Sequence, residues 1–535
     1  MRRLLWLCLA IAAIAWLEFE IFPGHTYLHS ATQIYLPMLQ RIDSPGYLSR
    51  DLVATNPNLS YTIYDEVTLF LHRQAHLDFE KALLGQLFLF RLAAVTGIFL
   101  LARSTGLRDA FCLLVAALVN LGAALPGPAL CIPEPEPVPI AFACGATLLA
   151  TGLLVRAKPF LSGLAGSLAL LYDPVIAAPF WAVVLAALFV DRSSRKAFRP
   201  ALPALLVSIL LLANLAQLQP EVSSEQLWMH VFPGLAKLQQ FRSPYLWVSL
   251  WKHEMWHYLA LAVCGVWAAT RVWWALNRET RWLLPGMGLA GIVSVALSYF
   301  LLEQSRLVVA AAMQPARTLM FPVIFTSFLC ALAALQALVK SRKKEALAWF
   351  TLVVALPFDG RILDFLKPVH LGLLALAAAL SALFTWSCTL PRAKFFLPVS
   401  FLLTLAVFTF LSHHGTLPHP TETRASVLEL ADWADKNTWG GSMFLFPDAG
   451  RELYPGVFRA RSRRALWVDW KSGMATSLSQ PAAQRWFERW QSLTEGSPAE
   501  ASVDYYVFKR EHALANKPTI FQNGEFCVYD ALELK

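Results

Sequence analysis

The chain has 535 residues, 57% of them hydrophobic and 15% charged, with a mean hydropathy of +0.49. That composition excludes an ordinary soluble globular protein. The net charge of +9 would suggest nucleic acid in a soluble chain, but much of it sits at the ends of apolar stretches, where it reports topology, so the expected partner is the lipid bilayer and not nucleic acid.

Thirteen apolar stretches predict a mainly helical, polytopic bundle over residues 1–412, with spans near 3–22, 83–101, 109–125, 138–155, 159–171, 174–190, 201–217, 255–272, 283–302, 318–339, 346–357, 369–388 and 395–412. The opening MRRLLWLCLAIAAIAWLEFEIF has no small-residue cleavage site and reads as an uncleaved first span. Two regions are weak: 159–171 and 174–190 are split by Asp173-Pro174, and 346–357 is short for the hydrocarbon thickness.

Lys and Arg occupy alternate connections: Arg2 and Arg3, Arg103 and Arg108, Arg156 and Lys158, residues 191–199, 271–281, 340–344, then Arg392 and Lys394. The intervening loops, including PGPALCIPEPEPVP at 126–139, are poor in positive charge. Basic short loops stay cytoplasmic, so the N-terminus is expected inside and the C-terminal segment outside a bacterial inner membrane.

Residues 23–82 are expected to form an external loop with two amphipathic helices along the membrane surface, one carrying Ile34, Met38 and Ile42, the other running from Ser60 to about Leu84. Residues 413–535 predict a small extracytoplasmic α/β domain: helices at 425–438 and 481–493, strands at 443–447, 463–471, 503–510 and 526–534. Of eight cysteines, only Cys527 lies in that tail, and the spacings predict neither a disulfide framework nor a zinc site.

The external loop with interfacial helices, the odd number of spans and the outer α/β domain together resemble the type-C (GT-C) superfamily of integral membrane glycosyltransferases. The stretches TQIYLPMLQRIDSPGYLSRDL, FLSGLAGSLALLYDPVIAAPF, MQPARTLM, ELADWADKNT and RRALWVDWK resemble a group of bacterial membrane proteins with that architecture. The resemblance implies transfer of a sugar from a polyprenyl-phosphate donor to an acceptor on the outer side, with a carboxylate as general base and cations against the departing phosphate. It also implies an acid just after the first span, where this chain instead reads GHTYLHSATQIY.

On that reading Asp51 is the preferred base, as an external-loop acid at a cavity mouth; Asp43 and Glu20 are further candidates, with a turn and a snorkelling carboxylate as their plain alternatives. Glu18 is likewise expected to snorkel, and Glu134 and Glu136 to be solvated, with metal binding as the other possibility. His29, Arg306, Gln314, Arg317 and Asp173 are the substrate-binding candidates: guanidinium forks match phosphate oxygens, an ionisable group in a membrane break is a functional candidate, pairing with Glu303 is the alternative for the arginines, and helix capping at Pro174 is the alternative for Asp173. His25 and His29 have helical spacing but no acidic or cysteine partner at metal-ligand spacing, so a divalent metal is left open and none is required. Trp470-Lys471 and Arg463-Arg464 are read as ligand-binding or packing residues at a strand end. Two other functions stay open: a catalytically inactive scaffold of the same fold, and a transporter of lipid-linked substrates. The transporter would call for internal repeats and mid-span charges, and only Asp173 and Arg91 stand out as such.

Overall fold

The computed structural model describes residues 2–55, 62–191, 195–217, 229–231, 233–252, 254–358, 368–414, 424–477, 480–495 and 502–534. Ser60, the predicted start of the second external helix, and residues 192–194 of a basic connection lie outside them. Each of the thirteen predicted stretches contains a helix, although 109–125 is helical only to Asn120. Among the described residues, seven helices are long and apolar enough to cross a membrane: Phe79–Arg103, Arg195–Gln217, Glu254–Ala275, Arg278–Gln304, Val308–Val339, Pro368–Thr389 and Phe395–His413.

The first half of the chain runs α1 (Arg2–Glu20), α2 (Thr32–Asp43), α3 (Tyr64–Gln74), α4 (Phe79–Arg103), α5 (Asp109–Asn120), α6 (Pro139–Val155), α7 (Pro159–Tyr172) and α8 (Pro174–Val190). Proline opens α6, α7 and α8, where its missing N–H is not needed and its fixed φ suits the first turn. The weak pair 159–171 and 174–190 is thus two helices joined at Asp173, whose Oδ1 accepts the Val175 and Ile176 N–H groups at 3.0 and 3.1 Å.

Backbones touch where α4 crosses α6. A Cβ on Gly97 would stand 2.2 Å from the Leu148 carbonyl oxygen, and one on Gly152 2.4 Å from that of Gly97, so these two positions require glycine. Helix Met320–Val339 is buried almost all round and forms the axis of the bundle, flanked by Glu254–Val272 and Lys343–Ala355.

The external loop departs from the expected pair of surface helices. α2 buries residues on most of its circumference because the bundle covers one side and helix Tyr454–Ser462 the other. α3 stops at Gln74, and α4 begins four residues before the predicted span, capped by Asp78 accepting the Lys81 N–H at 2.7 Å. The C-terminal segment carries a mixed five-stranded sheet in the order β4-β3-β5-β7-β6, formed by β3 (Met443–Leu445), β4 (Ala465–Leu466), β5 (Tyr505–Lys509), β6 (Phe521–Gln522) and β7 (Phe526–Asp530). β3 pairs in parallel with β4 and β5; β7 runs antiparallel to β5 and β6. Helices Ala425–Asn437 and Gln480–Thr494 match expectation, whereas the predicted strand over 463–471 shrinks to two residues. Helix Tyr454–Ser462 is hidden in the sequence by Pro455-Gly456, which reads as a turn; a Cβ on Gly456 would collide with Gln33 of α2, 2.1 Å away.

The loop and the C-terminal segment are locked by a buried ion cluster. Arg459, fully buried, donates from Nη1 to Asp469 at 3.0 Å, stands 3.8 Å from Asp51 and donates from Nη2 to the Gln33 carbonyl at 3.1 Å. Asp51 also accepts the N–H groups of Val53, Ala54 and Leu466 at 2.9, 3.1 and 3.0 Å. Removing one member strands the other charge and three amides, so Asp51→Ala is expected to destabilise the detergent-solubilised protein by about 3 kcal/mol. Asp51→Asn, which keeps an acceptor, should lose less, and thermal unfolding of the two variants checks the order.

Candidate functional site

Where the external loop, the bundle and the C-terminal segment meet there is a cavity of about 670 Å³. Its rigid wall is the proline-rich loop after α5. Prolines at 126, 128, 133, 135, 137 and 139 remove N–H donors and fix φ, so the loop offers few donors of its own and is tethered to the rest of the molecule by its carbonyls. Arg91 Nη2 donates to the Glu134 carbonyl at 3.2 Å, the Thr26 N–H to Pro135 at 3.0 Å, the Tyr64 hydroxyl to Pro137 at 2.8 Å and the Tyr258 hydroxyl to Pro126 at 2.7 Å. The loop starts as a hairpin of β1 (Ala123–Leu125) and β2 (Leu130–Ile132), which the sequence reading missed.

Two acids on this wall correct the expectation of solvated carboxylates. Glu136 is buried; its two carboxylate oxygens accept the Ser30 and Ala31 N–H groups at 2.7 and 2.5 Å, just ahead of α2. Glu134 is half-buried in the cavity wall, where burial first, then the neighbouring Glu136, push its carboxyl up to about 7 against the pull of Arg317 and Arg91.

Three cations line the same cavity: Arg242 at the end of helix Pro233–Arg242, Arg317 in the 3₁₀ turn Pro315–Leu319, and Lys471 at the start of the 3₁₀ turn Lys471–Ser477. Among the described residues none of the three has a carboxylate within 4.0 Å. Arg242 Nε donates to the Trp470 carbonyl at 2.8 Å, and Lys471 Nζ to Ser30 Oγ at 2.6 Å. Burial, then the charge of Arg242, lower the Lys471 ammonium to about 8. The Nε of Arg317 and the Oε1 of Gln314 are buried with no hydrogen-bond partner. Cations held this way demand an anion.

Of the sequence candidates, His29, Asp173, Gln314 and Arg317 line the cavity. Asp51, Asp43, Glu20 and Arg306 do not. Asp51 does not hang over the cavity mouth, because its carboxylate is committed to the ion cluster below β4. Asp43 is held by Arg73 at 2.9 Å, with His72 3.8 Å away. Glu20 ends α1 in an exposed position. Glu18, expected to snorkel, is buried, with Arg91 donating to its carbonyl at 3.1 Å. The Arg306 carbonyl accepts the Val231 N–H at 2.6 Å, and Glu303 accepts the Ser249 N–H at 3.0 Å instead of pairing with an arginine. His25 is stacked on Phe19 at 4.0 Å and donates from Nδ1 to the Phe19 carbonyl at 2.9 Å, so it shares no site with His29. Arg463 and Arg464 bind Asp435 and stack on Tyr47 at 4.4 and 5.7 Å, a packing role. Among the described residues no cluster of three or more His, Cys, Asp or Glu side chains is placed to hold a metal, and the eight cysteines are free.

Sequence reasoning missed the weight of Glu134, Glu136, Lys471 and Arg242. The one local signal was the pair of acids set in alternating prolines, a backbone too stiff to serve as a plain solvated loop.

Over 98% of this chain and 97% of that one, the fold matches ArnT from Cupriavidus metallidurans in the apo state, at a TM-score of 0.50 and 15% identity. The same protein bound to undecaprenyl phosphate matches over the same shares at 0.48 and 14%. The Archaeoglobus fulgidus oligosaccharyltransferase in the apo form matches at 0.43 and 10%, over 94% of this chain and 69% of that one. No family model and no curated protein matches the sequence. The first of these likenesses shows the fold: over nearly its whole length the chain folds as that protein does.

Because the Glu134 carboxyl is raised from about 4.3 to about 7, the folded state favours its neutral form. The stability this gives is complete at acid pH and is lost as pH rises from about 4 through 7. Glu134→Gln should flatten that part of the stability–pH curve, whereas Glu136→Gln, which removes a clasp of two N–H donors, should lower stability by about 1–3 kcal/mol across the range. Melting curves between pH 4 and 8 separate the two.

Proposed function

We propose that the chain is a membrane glycosyltransferase that takes a sugar from a polyprenyl-phosphate-type donor and passes it to an acceptor on the extracytoplasmic side. The observation that carries this reading is the cavity itself: Glu134, its carboxyl pushed up to about 7, lines it together with three cations that, among the described residues, have no carboxylate within 4.0 Å. A leaving phosphate needs fixed positive charge where its negative charge develops, and Arg317, with its unmatched Nε–H, is the group we assign to it. The attacking acceptor must lose a proton. A base is most effective when its pKa lies near the working pH, which makes Glu134 our candidate in place of Asp51. Gln314, His29 and Asp173 are assigned to holding the sugar and the donor headgroup. Arg91 is a positioning residue, acting through the backbone of Glu134. The thirteen-span count, the division at residue 412 and the orientation with the N-terminus inside belong to this proposal. The direct contacts of residues 30–51 with 459–471 support one shared compartment for the external loop and the C-terminal segment.

An inactive scaffold of the same fold is the second reading, favoured by the placement of Asp51, Asp43 and Glu20 outside the cavity. Sugar transfer from a polyprenyl-phosphate donor by the purified protein distinguishes the two. On the enzyme reading Glu134→Gln lowers kcat by about 10²–10⁴-fold, and the wild-type rate rises with pH through an inflection near 7. Transfer at an unchanged rate by Glu134→Gln would remove Glu134 as the base, and no transfer by the wild type with any such donor would favour the scaffold.

A further inference from the structure

The three cations reach the cavity from different segments: Arg317 from the 3₁₀ turn Pro315–Leu319, Arg242 and Lys471 from either side of Trp470, whose carbonyl accepts Arg242 Nε. Arg317 belongs to the bundle and shares its field with Glu134, Asp173 and Tyr35. Lys471 and Arg242 come from different segments, and their charges act on each other. The Arg242 guanidinium lies over the Trp470 ring at 4.7 Å while Nε is anchored to the Trp470 carbonyl, which fixes the side chain at the cavity wall. Arg451 stacks on the same ring at 4.5 Å. The nearby acids are already engaged: Glu136 with two backbone N–H groups, Asp469 with Arg459 and the Ser472 N–H at 3.1 Å. Two like charges are therefore packed together in a cavity wall, with a neutral hydroxyl and a carbonyl as their hydrogen-bond partners. That arrangement is unfavourable until an anion bridges them.

We propose that Lys471 and Arg242 form a second anion subsite, separate from Arg317, that takes a phosphate-sized group. In the context of the transferase reading, on which its biological meaning rests, that group is either the second phosphate of a diphosphate donor or an anionic group on the acceptor. The ligand chemistry is the same in both cases, and an ammonium beside a planar guanidinium fork suits it.

Binding is measured on the full-length protein in nanodiscs with three probes: inorganic phosphate, a polyprenyl monophosphate and a polyprenyl diphosphate. The expected result is a second phosphate-dependent gain that Lys471→Met and Arg242→Gln each reduce about tenfold, that Lys471→Arg retains, and that leaves monophosphate affinity unchanged. A gain seen as tighter binding of diphosphate over monophosphate assigns the subsite to the donor. A gain seen as inorganic phosphate binding to protein already saturated with monophosphate assigns it to the acceptor. The subsite is refuted if the wild type shows neither gain, if both variants bind all three probes as the wild type does, or if Lys471→Met weakens monophosphate as much as Arg317→Gln. Failure of the wild type to bind either polyprenyl phosphate would count against the transferase reading, while the inorganic phosphate arm would still decide the subsite.

Discussion

The cavity depends on one carboxylate. Glu136 sits on a loop stiffened by proline, accepts two backbone N–H groups immediately before α2 and so fixes the strap that carries Ser30. Ser30 in turn receives Lys471 from the far end of the chain. One acid therefore sets the distance between the bundle, the external loop and the C-terminal segment. The acid is buried, so both its oxygens need donors, and the approach to the start of α2 supplies two adjacent ones.

That clasp also explains why Glu134 and Glu136, two residues apart, behave differently. Glu136 has its charge matched by N–H dipoles. Glu134 faces the open cavity with one backbone N–H, that of Glu136, against its carboxylate, and burial and the Glu136 charge outweigh it, which raises its proton affinity. A difference between a clasped carboxylate and one that holds its proton more tightly follows from position alone, the pattern by which neighbouring acids come to titrate apart. Arg91, a guanidinium inside α4, gains its purpose from the same loop: it holds the Glu134 backbone and the end of α1 together.

The helices were legible in the sequence because each is an apolar run bounded by charge or proline, and the break at Asp173-Pro174 carried its own cap signal. Part of the cavity was legible too. Arg317, Gln314 and Asp173 stood out as polar groups where the surrounding sequence is apolar, and His29 as a histidine just beyond the first span. What was hidden is what depends on partners far away in the chain. Asp51 looks like any external-loop acid until Leu466, 415 residues on, is seen to donate to it. Lys471 was read with Trp470 as a ligand-binding or packing residue at a strand end and Arg242 drew no reading, and only the fold brings both to one wall. Glu134 and Glu136 were read as solvated because acidic, proline-rich stretches usually are, and the tethers that contradict this come from Thr26, Tyr64, Arg91 and Tyr258.

Lys471 lies within the last 65 residues of the 535-residue chain, yet it and Met474 complete a pocket whose other walls are laid down by residues 22–357. During synthesis the membrane helices are threaded before that lysine leaves the ribosome. A nascent or C-terminally clipped chain would thus hold an unroofed pocket lacking one of its positive charges. The pocket thus depends on completeness: its full set of positive charges is present only once the final segment has docked on the bundle.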